Sequence, residues 1–434
     1  MSVEPLFRNP KRYVITRKGR SSWYGYYACY SVEFVEDVLT SINLDPEGIV
    51  LDPWNGSGTT TYTAETLGFQ SVGFDINPVM VVVAKAQSVE SRKVLEFGAL
   101  SRKIVREAEK QIENVDIGSD PLSLWLKPES TRMWRALEQS IQQVFFGKTR
   151  VDFTKSDLSE IPESAAFFYI ALFRAFRKTL GNLTSSNPTW FKEPEDKRSR
   201  IGPGSGKIKQ LFENAVQEMI ASDNQNGCAQ TLQRVSNKSL IARCPSWDLP
   251  LERHSIDAVI ASPPYCTRID YAIATKPELL LLGVKEEYFL GLRNLMIGSP
   301  TIKPLIPEIH EDWGNTCISF LADIQKHTAK ASATYYLKNH LQYFDAIYRS
   351  LCELDRTIKP GGHCTLVVQD SFYKDIHNNL PTIFHEMTNS FGWKLNWSKE
   401  FRSGRTLAQI NGARKKYGTI AKRTETTLLF QKER

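Results

Sequence analysis

Four consecutive residues, Ser262-Pro263-Pro264-Tyr265, put a hydroxyl, two prolines and an aromatic ring at the end of a short apolar run, Ile256 to Ala261. The run is rich in branched side chains and Pro-Pro stops it, so it reads as a buried strand. Two prolines donate no ladder hydrogen bonds and hold the chain extended, giving a rigid turn. A rigid turn at the carboxyl end of a parallel strand is where open α/β sheets place their ligands. By itself the string also describes an ordinary proline turn with an aromatic packed beside it.

A second motif lies upstream. An apolar strand, Gly48 to Leu51, runs into Asp52-Pro53-Trp54-Asn55-Gly56-Ser57-Gly58-Thr59-Thr60, and a helix-forming segment continues to Leu67. Glycines let the backbone turn sharply and approach a ligand, and a helix amino terminus offers free N–H groups. Then comes Gln70 to Pro78, a second short strand ending in Asp75. In dinucleotide folds an acid in that place binds ribose hydroxyls. A lone Gly-x-Gly is only a tight turn; its spacing to Asp75 points to a nucleoside-bearing ligand.

Taken together, Asp52-Pro-x-x-Gly-Ser-Gly-Thr-Thr60, Gly73-Phe-Asp-Ile-Asn-Pro78 and Ser262-Pro-Pro-Tyr265 resemble the S-adenosylmethionine-dependent DNA amino-methyltransferases. That family methylates the exocyclic nitrogen of cytosine (N4) or adenine (N6). The resemblance covers residues 22–90 and 238–434. It implies an α/β fold, a Rossmann-like seven-stranded methyltransferase sheet with a large, mostly helical insertion. It also implies S-adenosyl-L-methionine as cofactor, held by Asp52, Pro53, Asn55, Gly56, Gly58, Thr59, Asp75 and Ile76. Tyr26 to Ile42 resembles the family's first cofactor segment, with Ser31 and Phe34 in its aromatic and small polar places. After the third strand the family has an acid near the adenine; here Cys244-Pro245-Ser246 occupies much of that place, so Ser246, Trp247 and Asp248 are all candidates.

The catalytic assignment, Ser262, Pro263, Pro264 and Tyr265, follows from the chemistry the resemblance implies. An exocyclic amino nitrogen shares its lone pair with the ring and is a poor nucleophile while planar. Acceptors aimed at its two N–H groups, the Ser262 hydroxyl and a carbonyl of the proline turn (Pro263 first), restore a directed lone pair. Tyr265 would stack on a base rotated out of the duplex. Neither a metal nor a covalent enzyme intermediate is required. A cytosine C5-methyltransferase needs a thiolate after a proline, whereas Cys266 follows Tyr265 and reads as a packing residue. Serine in the first motif position is commoner among cytosine-N4 enzymes, which selects cytosine N4; adenine N6 is the alternative, since both bases offer an amine beside a ring acceptor. An RNA amino-methyltransferase acting on guanine N2 of transfer RNA is a further alternative, although such enzymes often carry an RNA-binding domain ahead of the core. A catalytically inactive nucleic-acid-binding subunit is the last, and intact Asp52, Gly56, Gly58, Asp75 and Ser262 to Tyr265 argue against it.

These motifs need a frame to position them. The 434 residues divide into a basic amino-terminal arm (1–25), a cofactor-binding half of the core (26–89), a helical insertion for DNA recognition (90–237) and a catalytic half (238–434). Helical spacing runs through Leu95–Asn114, Ser130–Phe146, Glu163–Leu180 and Lys207–Ala221. Residues 284–335 read as irregular, Leu337–Leu354 as a helix, Lys359-Pro-Gly-Gly362 as a turn before a strand, and 375–391 as a helix. Net charge is +7 and fits a polyanionic partner, double-stranded DNA, with room for a cognate restriction endonuclease. Candidate DNA contacts are Lys197, Arg198 and Arg200 in a glycine-rich loop, and Arg402, Arg405, Arg414, Lys415 and Lys416 in a basic loop between the last two strands. Trp190 and Phe191 read as core before wedge residues. Seven scattered cysteines without a Cys-x-x-Cys pair argue against a zinc site and a disulfide framework. No run is apolar and long enough to span a membrane, and the polar amino terminus lacks a signal core, so a cytoplasmic protein is expected.

Overall fold

The computed structural model describes residues 7–11, 19–25, 30–147, 151–183, 185, 190–225, 239–266, 269–402 and 424–433. Its strands are β1 (Ile49–Asp52), β2 (Gln70–Asp75), β3 (Leu240–Arg243), β4 (Ile256–Ala261), β5 (Ile358–Gln369), β6 (Ser371–Tyr373), β7 (Ile376–Asn378), β8 (Trp393–Arg402) and β9 (Thr424–Lys432). Seven of them form one sheet in the order β3-β2-β1-β4-β5-β9-β8, the expected Rossmann-like arrangement. β1 to β5 run parallel, and β9 is antiparallel to both of its neighbours. From β1 the chain proceeds outward to β2 and β3, then returns to β4 on the other side, so β1 and β4 flank the switch point where such sheets bind ligands.

The helices are α1 (Val32–Ser41), α2 (Thr59–Thr66), α3 (Pro78–Gln87), α4 (Ser91–Val94), α5 (Phe97–Gln111), α6 (Pro128–Phe146), α7 (Glu163–Thr179) and α8 (Ser205–Gln225). After β4 come α9 (Tyr271–Ala274), α10 (Lys276–Leu281), α11 (Glu286–Leu295), α12 (Gly314–Lys326), α13 (Leu337–Thr357) and α14 (Leu380–Asn389). Their boundaries have local causes. Ser31 caps α1 by accepting from the Phe34 N–H, and Asn77 caps α3 with Pro78 in the first turn. Because strand side chains alternate, Val50, Ile260 and Val367 pack with α1 and α2 on one face. Leu51, Val259, Leu366 and Val368 pack with α12, α13 and α14 on the other. Every residue of α3 is buried, since it separates the sheet from helices α5 to α8.

Three local expectations change. Residues 284–335 contain α11 and α12; in α12, Cys317, Phe320, Leu321 and Ile324 recur at helical spacing and are buried, a pattern obscured by the flanking glycines and prolines. The helix expected from 375 starts at Leu380, because 371–378 first form the β6–β7 hairpin, with Lys374 at φ 55° and Asn379 capping the helix behind it. The Lys359–Gly362 turn lies within β5 as a bulge: pairing with β4 jumps from Ile256–Ile358 to Ala258–His363, and Gly361 supplies φ 82°. Phe191 packs against the helical core, whereas Trp190 is exposed.

Two arginines tie the helices to the segment that follows the proline corner. Arg135 on α6 donates to the carbonyls of Leu281 (2.7 Å) and Leu280 (3.1 Å) and pairs with Asp120. Arg177 on α7 pairs with Glu278 on α10 and donates to the Ala274 carbonyl at 2.6 Å. Glu278 is fully buried, so its removal leaves a cation facing a protein wall. Glu278→Ala is expected to cost about 3 kcal/mol, the low end for a broken buried pair because Arg177 retains some exposure. Urea unfolding checks this; a loss under about 1 kcal/mol would assign the pair no structural role.

Candidate active site

The ends of β1 and β4 are joined through one buried carboxylate. Asp52, 2% exposed, accepts from the Tyr30 hydroxyl at 2.8 Å and the Thr60 hydroxyl at 2.7 Å. The same two hydroxyls lie 3.1 Å from the Ile260 carbonyl on β4 and touch each other. Two O–H protons thus serve two acceptors, one at the end of each strand. Burial pushes the Asp52 carboxyl up to about 6, against the pull of the Thr60, Tyr30 and Trp54 donors.

Between β1 and α2, Gly56 (φ 49°) and Gly58 (φ 82°) adopt left-handed backbone. Gly58 also presses on α3: a Cβ there would lie 2.8 Å from the Ala84 Cβ. Asp75 closes the turn from β2, accepting from the Gly56 N–H at 3.0 Å and the Asn77 N–H at 2.8 Å. Burial pushes its carboxyl up to about 7, with those backbone donors pulling it back. Gly73 gives Asn55 its place, since any Cβ there would collide with the Asn55 amide. Trp54 Nε1, Asn55 Nδ2 and Ser57 Oγ are buried without a hydrogen-bond partner among the described residues. Orphaned polar atoms of this kind are costly unless a ligand or water completes them. They cluster on the turn where a nucleoside cofactor was expected, so the donor set fits one.

The proline corner begins two residues past Ile260, and Leu51 and Val259 are in register. Adjacent strands lie about 5 Å apart, so the corner and the glycine turn share one edge of the sheet. Ser262 donates its hydroxyl proton to the Val367 carbonyl of β5 at 3.1 Å, which leaves its lone pairs as acceptors. The Pro264 carbonyl takes the Tyr343 hydroxyl at 2.9 Å. Among the described residues no donor reaches the Pro263 carbonyl. Tyr265 donates its hydroxyl to Glu425 on β9 at 3.2 Å, and its own N–H to the Tyr271 hydroxyl at 3.4 Å. Gly298 closes over the Tyr265 carbonyl, where a Cβ would lie 2.8 Å from the oxygen.

Other expected residues have varied placements. Thr59 begins α2, and Ile76 is partly buried against the helical core. Phe34 is fully buried between α1 and the sheet, in edge contact with Tyr30 and Phe7, while Ser31 serves as the α1 cap. The Cys244 N–H reaches the Asp75 carbonyl at 3.2 Å, bringing the post-β3 loop beside the glycine turn. Within that loop Ser246 is buried against Ser350, Trp247 lies between Lys303 and Arg349, and Asp248 is exposed. Lys197 and Arg198 are exposed and Arg200 partly so, on the segment between α7 and α8. Arg402 ends β8, whereas Arg405, Arg414, Lys415 and Lys416 lie outside the described residues. Sequence reasoning missed Tyr30, Tyr343 and Glu425 as partners of the motifs. Of these only Tyr30, beside the first segment, carried a local signal.

A family model described as DNA methylase matches residues 9–86. The type II methyltransferase M.BsoBI of Geobacillus stearothermophilus is 24% identical, over 94% of this chain and 84% of its own. The type II methyltransferase M.AvaI of Nostoc sp. is 22% identical, over 87% and 80%. M.MvaI of Kocuria varians, also a type II methyltransferase, is 23% identical over 76% and 71%. The chain belongs to the S-adenosylmethionine-dependent DNA amino-methyltransferases.

The methyltransferase acts on an exocyclic amine of DNA, cytosine N4 or adenine N6, with S-adenosylmethionine as methyl donor. Among the described residues no helix is long and apolar enough to cross a membrane, and no cluster of His, Cys, Asp or Glu is arranged to hold a metal. The glycine turn gives a sharp comparison. Gly58→Ala is expected to cost about 2–4 kcal/mol, combining left-handed strain with the clash on Ala84. Gly68→Ala, at φ 89° with open space around it, should cost only about 1 kcal/mol. Equal losses in thermal or urea unfolding would remove the packing argument for Gly58.

Proposed function

We propose that the enzyme is a site-specific cytosine-N4 methyltransferase acting on a base flipped out of double-stranded DNA. The observation that carries the site assignment is the Ser262 hydroxyl, which donates to the Val367 carbonyl and keeps lone pairs for a second partner. Pro264 is occupied by Tyr343, which leaves the Pro263 carbonyl as the second acceptor. Two acceptors fixed on a rigid corner meet the two N–H groups of one amine and draw its lone pair out of conjugation. Tyr265 supplies the flat surface for the flipped base. Serine in the first motif position, commoner among N4 enzymes, supports cytosine over adenine.

S-adenosylmethionine supplies an electrophilic methyl group on a sulfonium. Asp75 would accept from its ribose hydroxyls, Gly56 and Gly58 would admit the ligand to the backbone, and Asn55 and Ser57 would offer their unpaired polar atoms. Lys197, Arg198 and Arg200, with Arg402, Arg405, Arg414, Lys415 and Lys416, grip phosphates, and the helical insertion contributes to recognition. The type II designation of the relatives supports a restriction–modification pairing with an endonuclease, working on cytoplasmic DNA.

Nucleoside mass spectrometry of DNA methylated by the purified enzyme should yield N4-methylcytosine; N6-methyladenine instead would sink the base assignment. Ser262→Ala and Tyr265→Ala should each lower kcat about 10²–10³-fold with cofactor binding retained. The raised carboxyl of Asp75 gives a pH signature. The ionised form is the ribose acceptor, and below about pH 7 the free enzyme's Asp75 is protonated, so cofactor binding must weaken as pH falls. Calorimetry should give a Kd about tenfold weaker at pH 6 than at pH 8. Asp75→Asn should bind weakly and flatten that slope; an unchanged slope would refute the role.

A further inference from the structure

We propose that Glu425 is a positioning residue for methyl transfer: its carboxylate holds the Tyr265 hydroxyl and so fixes the ring that the flipped base meets. This rests on the role given to Tyr265 above. The contact is direct, 3.2 Å from Tyr265 Oη to Glu425 Oε1, between residues 160 apart in sequence. Glu425 is brought there by sheet register. It pairs with Gln369 at the carboxyl end of β5, two residues beyond the Val367 carbonyl that takes the Ser262 proton. The preceding residue is pinned as well, since the Thr424 N–H donates to Asp370 Oδ1 at 2.9 Å.

A tyrosine ring swings about two torsions, and holding only its backbone leaves the plane free. Here the backbone is held by Tyr343, Tyr271 and Gly298, and the far end by Glu425. Burial pushes the Tyr265 phenol well up, so it remains the donor. Glu425 itself is 8% exposed, and burial raises its carboxyl while the Lys11 ammonium on the amino-terminal segment opposes that. A buried strand position would be filled at lower cost by an apolar side chain. The carboxylate at this place is therefore accounted for by its partner, the tyrosine of the proline corner.

The test is a double-mutant cycle on the full-length enzyme. Tyr265→Phe, Glu425→Ala and the double variant are compared in single-turnover methyl transfer. A duplex carrying 2-aminopurine at the mapped target position reports how the flipped base is stacked. Each single variant should slow transfer about 5–20-fold and change the 2-aminopurine signal, with the double variant no slower than the slower single and cofactor affinity unchanged. Glu425→Gln, which keeps an acceptor oxygen, should recover most of the rate. Additive losses, or an unaltered rate and fluorescence in Glu425→Ala, overturn the proposal. If Glu425→Ala fails to fold, Glu425→Leu, which fills the space without an acceptor, is crossed with Tyr265→Phe: its effect on rate must vanish in the phenylalanine background, and its persistence overturns the proposal. A normal rate in Tyr265→Ala would instead remove the reading of Tyr265 on which the proposal stands.

Discussion

The active edge depends on the small polar lock between β1 and β4. Asp52, Tyr30, Thr60 and the Ile260 carbonyl satisfy one another in a space that excludes water. Each group would be expensive to bury alone; together they satisfy one another, and the Trp54 N–H takes the second carboxylate oxygen at 3.1 Å. The lock fixes the distance between the glycine turn that follows β1 and the proline corner that follows β4. The two motif-bearing turns are thereby tied by one hydrogen-bonded group, together with the register of β1 on β4.

Around that lock the molecule uses rigidity in different materials. Prolines and left-handed glycines stiffen or bend the backbone where no regular element runs. Arg135 and Arg177 carry the same stiffness outward, binding carbonyls in and beside α10 and coupling the helical region to the chain just beyond the corner. On the other side β9, the one strand opposed to its neighbours, brings Glu425 to Tyr265. The corner is thus braced by β5, α13 and β9, none of which is near it in sequence.

Much of this was legible in the residues themselves. The strand–turn–helix at Asp52 to Thr60, the acid at Asp75 and the corner at Ser262 are local patterns of glycine, proline and hydrophobic period, and their resemblance to the amino-methyltransferases implied the seven-stranded sheet. Less legible was what each side chain would touch. Asp52, expected at the cofactor, has its carboxylate taken by two hydroxyls, and Phe34 fills core between α1 and the sheet. The second strand of the β6–β7 hairpin, Ile376–Asn378, fell inside the stretch expected as helix from 375.

By itself the sequence determined the backbone events, because φ restriction by proline, φ freedom at glycine and side-chain periodicity act over a few residues. It thereby determined the two motifs, and their resemblance to a known family carried the fold class and the kind of ligand. Only the tertiary structure decided which acceptors remain available at the corner and which are occupied. Val367, Tyr343 and Glu425 reach Ser262, Pro264 and Tyr265 through strand order and helix packing, over separations of 105, 79 and 160 residues. Contacts of that range depend on how whole elements stack, and no local pattern encodes them.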